Sequence, residues 1–471
     1  MGLKKNIAYS SLLTVANYIF PFLTFPYVTR VLGVANFGMC NFYSSVVSYF
    51  ILFSMMGMST LAVREIAKCK GDKNELNKTY SSLLVINGIT TVISIVVLLL
   101  SLVFIGKFQE YPQFVIIGAI HVLSNYFLLE WLFRGLEDFK YITLRSIIIR
   151  VLYVFSVFIF VRQENDFVLY FLLTSLMVTA NAIINVVYSR KFVRFSLKNI
   201  EIKNYVKPYI IFGAYQLLTS MYTSFNVAYL GFSSGDIEVG YYSTSVKLFN
   251  IILSFYTAFT AVLLPRMSLM IERGEIDGFK NLLNRSLNLL FSISIPIILV
   301  VEFFSPEIIK VISGEGYEGS ILPMKIVMPL VLIIGIEQVL VYQILMPLKK
   351  DKQVFINSCL GATVGVLLNI LLVPKMMAVG SSIVWLSSEL IVFSSAYYFV
   401  QKSLDIAHSV WPVLFKKCLL YMPLMLILLL VNHFTEDFLS LLIGAGFCVL
   451  YWFIVEVFFD KKSEVRNLLK L

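Results

Sequence analysis

Residues 82–105 read SLLVINGITTVISIVVLLLSLVFI, a run of apolar and small polar residues without one charged side chain. About 20 predominantly apolar residues are enough for a helix to cross the hydrocarbon core of a bilayer, so this run predicts a transmembrane α-helix. The whole chain has the same character, since 59% of its 471 residues are hydrophobic and only 14% are charged. A soluble chain carries about 25% charged residues. The composition therefore predicts an integral membrane protein.

Fourteen apolar spans follow one another along the chain. The strand-like alternation typical of membrane barrels is absent from the sequence, which favours helices throughout. We therefore expect an all-α integral membrane protein with about 14 transmembrane helices. The predicted spans are residues 8–29, 39–62, 82–105, 113–133, 146–161, 167–188, 208–230, 240–264, 286–304, 322–346, 354–373, 380–400, 418–432 and 438–459.

The basic residues collect at one side of the predicted spans. With the N-terminus inside, 30 of the 38 Lys and Arg fall at inner ends and 6 at outer ends, while Arg150 and Lys247 lie within spans. Inner loops of membrane proteins are rich in Lys and Arg, so this bias predicts that both termini are cytoplasmic. Loops facing anionic lipid explain the net charge of +10, and no nucleic acid is needed as a partner.

An internal repeat relates two stretches at an offset of 202 residues. Gly33 and Gly38 correspond to Gly235 and Gly240, and Arg64 corresponds to Arg266. We therefore expect two pseudo-symmetric six-helix bundles around a central cleft, residues 1–188 and 208–400, joined by a cytoplasmic linker, residues 189–207. Residues 401–471 would hold two extra helices and a cytoplasmic tail. Such paired bundles are typical of transporters that work by alternating access.

Motifs for enzyme chemistry are missing from the sequence. It contains no phosphate-binding loop of the G-x-x-x-x-G-K-[ST] type and no G-x-S-x-G or H-E-x-x-H motif. The five cysteines are scattered without a C-x-x-C pair, which disfavours a zinc site. We therefore predict a transporter with no cofactor, no catalytic residues and no bound metal.

Several stretches resemble a known family. PFLTFPYVTRVLGVANFG (21–38), EWLFRGLEDF (130–139), VGYYSTSVKL (239–248) and LLPRMS (263–268) are similar to the polysaccharide repeat-unit flippases of the Wzx type. The wider group, the MOP superfamily, also holds MATE-type multidrug exporters and lipid II flippases. The resemblance covers essentially the whole chain.

The resemblance implies a bacterial inner-membrane protein of surface polysaccharide synthesis, for O-antigen of lipopolysaccharide or for capsule. It would move undecaprenyl-pyrophosphate-linked oligosaccharide from the cytoplasmic to the periplasmic leaflet. A polysaccharide polymerase and a chain-length regulator would be its protein partners. Such a substrate needs a polar, cationic cavity, in which arginine suits the pyrophosphate because its fork donates paired hydrogen bonds.

Eight charged residues are candidates for the transport site. A charge in mid-membrane is costly, so one that persists there usually faces a cavity. The basic candidates are also explained as interfacial anchors or as side chains that reach the membrane surface. Two mid-span glutamates are candidates for H⁺ or Na⁺ coupling, or for pairing with these cations. The predicted substrate residues are Arg30, Arg64, Arg134, Arg150, Lys247 and Arg266, and the predicted coupling residues are Glu337 and Glu389.

Two other functions compete with the flippase. A cation-coupled MATE-type drug exporter would have the same fold but a predominantly acidic cleft. A membrane glycosyltransferase or polymerase would need outward catalytic carboxylates, of which the short outer loops supply few.

Overall fold

The structure, a computed structural model, describes residues 3–69, 71–198, 200–223, 225–404, 408, 410–435, 437–460 and 466. Every regular element within these ranges is helical, as predicted. The chain divides into two compact units, Met1–Gly240 and Tyr241–Leu471. Apart from Arg466, the predicted cytoplasmic tail beyond Asp460 lies outside the described residues.

The first unit holds ten α-helices and the start of an eleventh, within the ranges described. Asp72 and Asp138 cap the third and seventh of them by accepting hydrogen bonds from backbone N–H groups of the first helical turn. The helices are α1 (Leu3–Met55), α2 (Met58–Lys68), α3 (Lys73–Phe104), α4 (Gly106–Glu110), α5 (Pro112–Tyr126), α6 (Glu130–Gly135), α7 (Phe139–Phe160), α8 (Phe167–Ser189), α9 (Lys203–Thr223), α10 (Phe225–Ser233) and α11 (Asp236–Glu272).

The second unit continues α11 and adds six α-helices in its described part. Two short π-helical segments, Val339–Leu345 and Val455–Phe459, extend α14 and α17. The helices are α12 (Ile276–Ser313), α13 (Ile321–Val327), α14 (Leu330–Gln338), α15 (Asp351–Leu404), α16 (Val410–Phe434) and α17 (Asp437–Ile454).

Helices α1 and α15 are each long enough for two membrane crossings. They contain 53 and 54 residues, which at 1.5 Å per residue is about 80 Å. A bilayer core is about 30 Å thick. Each helix has one residue with non-helical backbone angles, Gly33 in α1 (φ 70°) and Met377 in α15 (φ 53°). Both breaks fall between two predicted spans.

The number of membrane crossings is consistent with the fourteen predicted. Ten helical segments of the described chain are long and apolar enough to cross a bilayer. Two of them, Ile19–Lys68 and Asp351–Leu404, each cover two predicted spans. The predicted spans at 208–230 and 240–264 correspond to α9–α10 and α11, which are not among these ten.

The glycine repeat is also a repeat in backbone conformation. Gly33 and Gly235 both adopt a left-handed φ, of 70° and 89°. Residues with a side chain adopt this conformation only rarely, whereas glycine does so readily. Gly33 breaks α1 and Gly235 separates α10 from α11, so each glycine lies where the chain turns from one predicted span to the next.

A cluster of four charged groups joins the last helices of the second unit. Lys417 of α16 lies with its ammonium nitrogen 2.6 Å from Glu456 Oε1 and 2.7 Å from Asp460 Oδ2. It also donates to Ser292 Oγ of α12 over 2.6 Å. The side chains of Lys417, Glu456 and Asp460 are no more than 2% exposed, whereas Lys416, which pairs with Asp460, is half-exposed. The sequence alone placed Lys417 among the inner loop charges, but the fold buries it.

Candidate functional site

Arg30 and Arg64 lie exposed in the first unit. Arg30 is on α1, one turn before the break at Gly33. Arg64 is near the end of α2, where its Nε donates to Glu65 over 2.9 Å and its guanidinium lies 5.6 Å from the Phe212 ring. These contacts hold Arg64 near the C-terminal end of α2 and leave half of its side chain accessible to solvent.

Glu130, at the start of α6, pairs with two arginines and lies near a third. Arg134 and Arg145 each donate to the Glu130 carboxylate, over 3.4 Å and 3.0 Å. Glu130 and Arg134 are thus paired across one turn of α6. Arg150 interacts electrostatically with Glu130 and Arg145, and its Nη1 donates to the Ala16 carbonyl of α1 over 3.2 Å. One carboxylate among three guanidinium groups leaves this cluster cationic.

Arg145 is the member of this cluster that sequence reasoning missed. Only 4% of its side chain is exposed, and its Nε and Nη1 have no hydrogen-bond partner among the described atoms. The sequence places Arg145 among the basic residues of an inner loop. It contains no pattern that would indicate burial of a basic side chain about one and a half turns after the start of a helix. It lines a cavity of about 490 Å³ together with Asp138, Lys140, Tyr141, Leu144, Ile148, Ile149, Ile184 and Tyr188.

The basic candidates of the second unit are separated on one helix. Lys247 lies half-buried on α11, and Arg266 lies exposed further along it. They are 19 positions apart, which is about 28 Å along a helix. The fold therefore does not bring these two residues to one contact point.

The two predicted coupling residues, in contrast, lie side by side. The carboxyl groups of Glu337 (α14) and Glu389 (α15) lie close enough to interact electrostatically. Trp385 Nε1 donates to Glu389 Oε1 over 2.9 Å, and Glu389 is buried. Two neighbouring carboxylates repel each other when both are ionised, and a proton on one of them removes this repulsion. This arrangement can bind and release a proton.

No group of three or more His, Cys, Asp or Glu that could hold a metal ion occurs in the described part of the chain.

Two family models match more than half of the chain each. The family described as "Polysaccharide biosynthesis protein" matches residues 3–271, and the family described as "Lipid II flippase MurJ" matches residues 167–445. Among curated proteins, the chain is 24% identical over 408 residues to the "Putative O-antigen transporter" of Escherichia coli (strain K12), with 86% of this chain and 98% of that protein covered. It is 28% identical over 376 residues to the protein of the same description from Shigella dysenteriae, with 78% and 91% covered.

Solved structures share the fold. A structure described as "Lipid II flippase MurJ, inward closed conformation" aligns with a TM-score of 0.79 at 16% identity, covering 97% of this chain and 99% of that one. An inward-facing MATE-family multidrug transporter of the MOP superfamily aligns with a TM-score of 0.63 at 13% identity, covering 85% and 99%. The chain therefore belongs to the polysaccharide biosynthesis protein family, as a membrane flippase of the Wzx type within the MOP superfamily.

Proposed function

We propose that this flippase moves undecaprenyl-pyrophosphate-linked oligosaccharide repeat units from the cytoplasmic to the periplasmic leaflet by alternating access. The products would be units of a surface polysaccharide such as O-antigen or capsule. The observation that carries this proposal is the family match over residues 3–271, together with curated relatives that are described as O-antigen transporters. A polysaccharide polymerase and a chain-length regulator would act on the product.

The proposed membrane is the bacterial inner membrane, with both termini in the cytoplasm. The bias of 30 inner against 6 outer basic residues supports this orientation. We also propose the division predicted from the repeat: six-helix bundles at 1–188 and 208–400, a linker at 189–207, and two further helices with a tail at 401–471. The shared left-handed backbone at Gly33 and Gly235 supports that repeat.

The proposed substrate contacts are cationic. The arginines around Glu130 supply several N–H donors, and the fork of a guanidinium matches the oxygens of a phosphate. Arg30, Arg64 and Arg266 would attract the pyrophosphate at the helix ends, while Arg150 and Lys247 would contact it within the membrane. The test is Arg150→Ala and Lys247→Ala. Each should impair transport while insertion into the membrane stays normal, and normal transport by both variants would refute the cationic path.

Protonation of the Glu337–Glu389 pair is the proposed coupling event. The proximity of the two carboxyl groups supports H⁺ coupling, because one proton relieves the repulsion between two neighbouring carboxylates. Proton release on one side of the membrane and uptake on the other would then bias the transport cycle.

A MATE-type drug exporter is the second candidate. The fold similarity to a multidrug transporter and the pair of neighbouring glutamates, Glu337 and Glu389, favour it. Deletion of the gene separates the two functions. Loss of surface polymer, with complete repeat units trapped on the cytoplasmic leaflet, is the result expected of a flippase. Normal polymer with new sensitivity to cationic drugs would establish the exporter, and unpolymerised units on the periplasmic leaflet would point to a polymerase.

A further inference from the structure

The repeated glycines pack directly against each other's segments. A Cβ atom at Gly38 would overlap the carbonyl oxygen of Asp236 and would lie 2.7 Å from the backbone nitrogen of Gly240. A Cβ atom at Gly240 would overlap the carbonyl oxygen of Val34. Each glycine therefore permits a backbone-to-backbone contact that any side chain would prevent. We call Val34, Gly38, Asp236 and Gly240 the glycine seam.

The glycine seam is reciprocal. Val34 and Asp236 are separated by 202 residues, and Gly38 and Gly240 are separated by the same number. Gly38 therefore contacts the repeat equivalent of Val34, while Gly240 contacts Val34 itself. This is the self-complementary pattern of a two-fold interface, in which the same surface serves on both sides. The contact lies at the predicted outer ends of the helices and crosses from residues 1–188 to residues 208–400.

Lys107 forms polar contacts with one side of the glycine seam. Lys107 of α4 donates to Asp236 Oδ1 over 2.7 Å and to the Gly231 carbonyl over 2.6 Å. Its ammonium also lies 4.1 Å from the centre of the Phe42 ring, and Tyr43 donates its hydroxyl to the Lys107 carbonyl over 2.9 Å. The residue 202 positions after Lys107 is Ile309. The second repeat therefore has no equivalent of the ion pair between Lys107 and Asp236, although the glycine seam itself is symmetric.

The construction of the seam suits a contact that opens and closes. At the seam glycines backbone meets backbone, so these positions can part without repacking side chains of their own. The rings of Phe42, Phe108 and Phe232 pack together beside the seam and would have to separate with it. The ion pair between Lys107 and Asp236 is one-fifth exposed on each side, and water can therefore replace it when the contact opens.

We propose that the glycine seam is the outer gate of the transport path and that Lys107, through Asp236 and the Gly231 carbonyl, is its latch. The inference rests on the proposed function, since release of the oligosaccharide to the outer leaflet requires the outer ends to part. Lys107 and the seam glycines are positioning residues: they set how often the gate is open and do not contact the substrate.

A disulfide between the two segments beside the glycine seam tests whether these segments must separate during transport. A Cβ atom at Gly231 would lie 2.8 Å from Cγ of Phe42, so cysteines in Phe42→Cys/Gly231→Cys can reach each other. Oxidation should abolish transport and reduction should restore it. Phe42→Cys alone and Phe42→Ala/Gly231→Cys, which removes the ring that a side chain at position 231 would overlap, should keep their transport under the same oxidant. Full transport by the oxidised double variant would overturn the gate.

The rate of disulfide formation then tests the latch. In the same double-cysteine chain, Lys107→Met should slow cross-linking about threefold to fivefold. This factor corresponds to the free energy that a partly exposed ion pair contributes to the closed state. Lys107→Glu combined with Asp236→Lys should recover the rate. An unchanged rate in Lys107→Met would overturn the role of the latch.

Glycine variants provide a matched pair for the seam. Gly38→Ala should slow cross-linking because its methyl group forces the two segments apart, whereas a Cβ at Gly106, beside Lys107, meets no atom within 4 Å. Gly106→Ala should therefore behave as the parent, and equal rates for the two alanine variants would overturn the seam. Cross-linking needs no substrate, so its result is independent of the assay that locates lipid-linked repeat units in each leaflet. If the cross-linking rates change as expected but the deletion strain traps no repeat units on the cytoplasmic leaflet, the proposed substrate is rejected and the proposed gate stands.

Discussion

Lys417→Met should destabilise the second unit strongly. The variant keeps an apolar stem of similar length but removes the ammonium that holds Glu456 Oε1 at 2.6 Å and Asp460 Oδ2 at 2.7 Å. Glu456 would retain the Tyr421 hydroxyl, which donates to it over 2.7 Å. Removing one partner of a buried pair leaves an uncompensated charge and costs about 3–5 kcal/mol.

Lys416→Met is the matched control. Lys416 is the neighbouring residue and pairs with the same Asp460, but its side chain is 48% exposed. Exposed pairs contribute about 0–1 kcal/mol, because water replaces the lost partner. The two variants thus remove the same chemical group one position apart, and only burial separates their expected effects.

Reversible unfolding in mixed detergent micelles measures the free energy of unfolding of each variant. The double variant Lys417→Met/Glu456→Gln should lose less than the sum of its single variants, by about 1–3 kcal/mol, because the carboxylate no longer lacks its cation. Equal destabilisation by Lys417→Met and Lys416→Met would refute the reasoning, since burial would then have no bearing on the cost.

Three further predictions concern other charged groups. Glu337→Gln and Glu389→Gln should each uncouple transport from an imposed proton gradient, measured as loss of gradient-dependent uptake in vesicles; gradient dependence that survives in both would contradict proton coupling. Arg145→Lys keeps the charge but loses the guanidinium fork, so transport should fall about tenfold, the worth of one or two charge-assisted hydrogen bonds; if Arg145→Lys transports normally, the fork has no role. Lys78 pairs with Glu201 over 2.6 Å and lowers the pKa of that carboxyl, so the stabilisation is present above the usual carboxyl pKa and is lost as pH falls through the lowered value. Glu201→Gln should remove this part of the pH dependence of unfolding, and an identical pH profile would count against it.

Some features of the candidate site followed from the sequence because they depend on local cost. Glu337 and Glu389 were predicted as functional residues because a carboxylate in the middle of an apolar span has a high free-energy cost in the membrane. Residues that carry such a cost usually have a functional role. The spacing along the chain does not show that these two residues are neighbours. They are 52 positions apart in the sequence, yet the fold brings their carboxyl groups close enough to interact electrostatically. Lys417 shows the opposite case, since it reads as a loop charge and is buried only because α12 and the end of α17 pack over it.

The sequence by itself determined the membrane class, the number of crossings and their predicted orientation, because hydropathy and charge act on each span separately through its contact with lipid and water. It also placed the boundary between two spans at residues 29–39, and there the structure breaks α1 at Gly33, a residue type that adopts a left-handed backbone at little cost. Only the tertiary structure decided which charges meet and that Gly38 lies on Asp236 while Gly240 lies on Val34. Those contacts depend on the register between helices distant in sequence, and register is fixed by packing over many residues, which no short pattern of residues encodes.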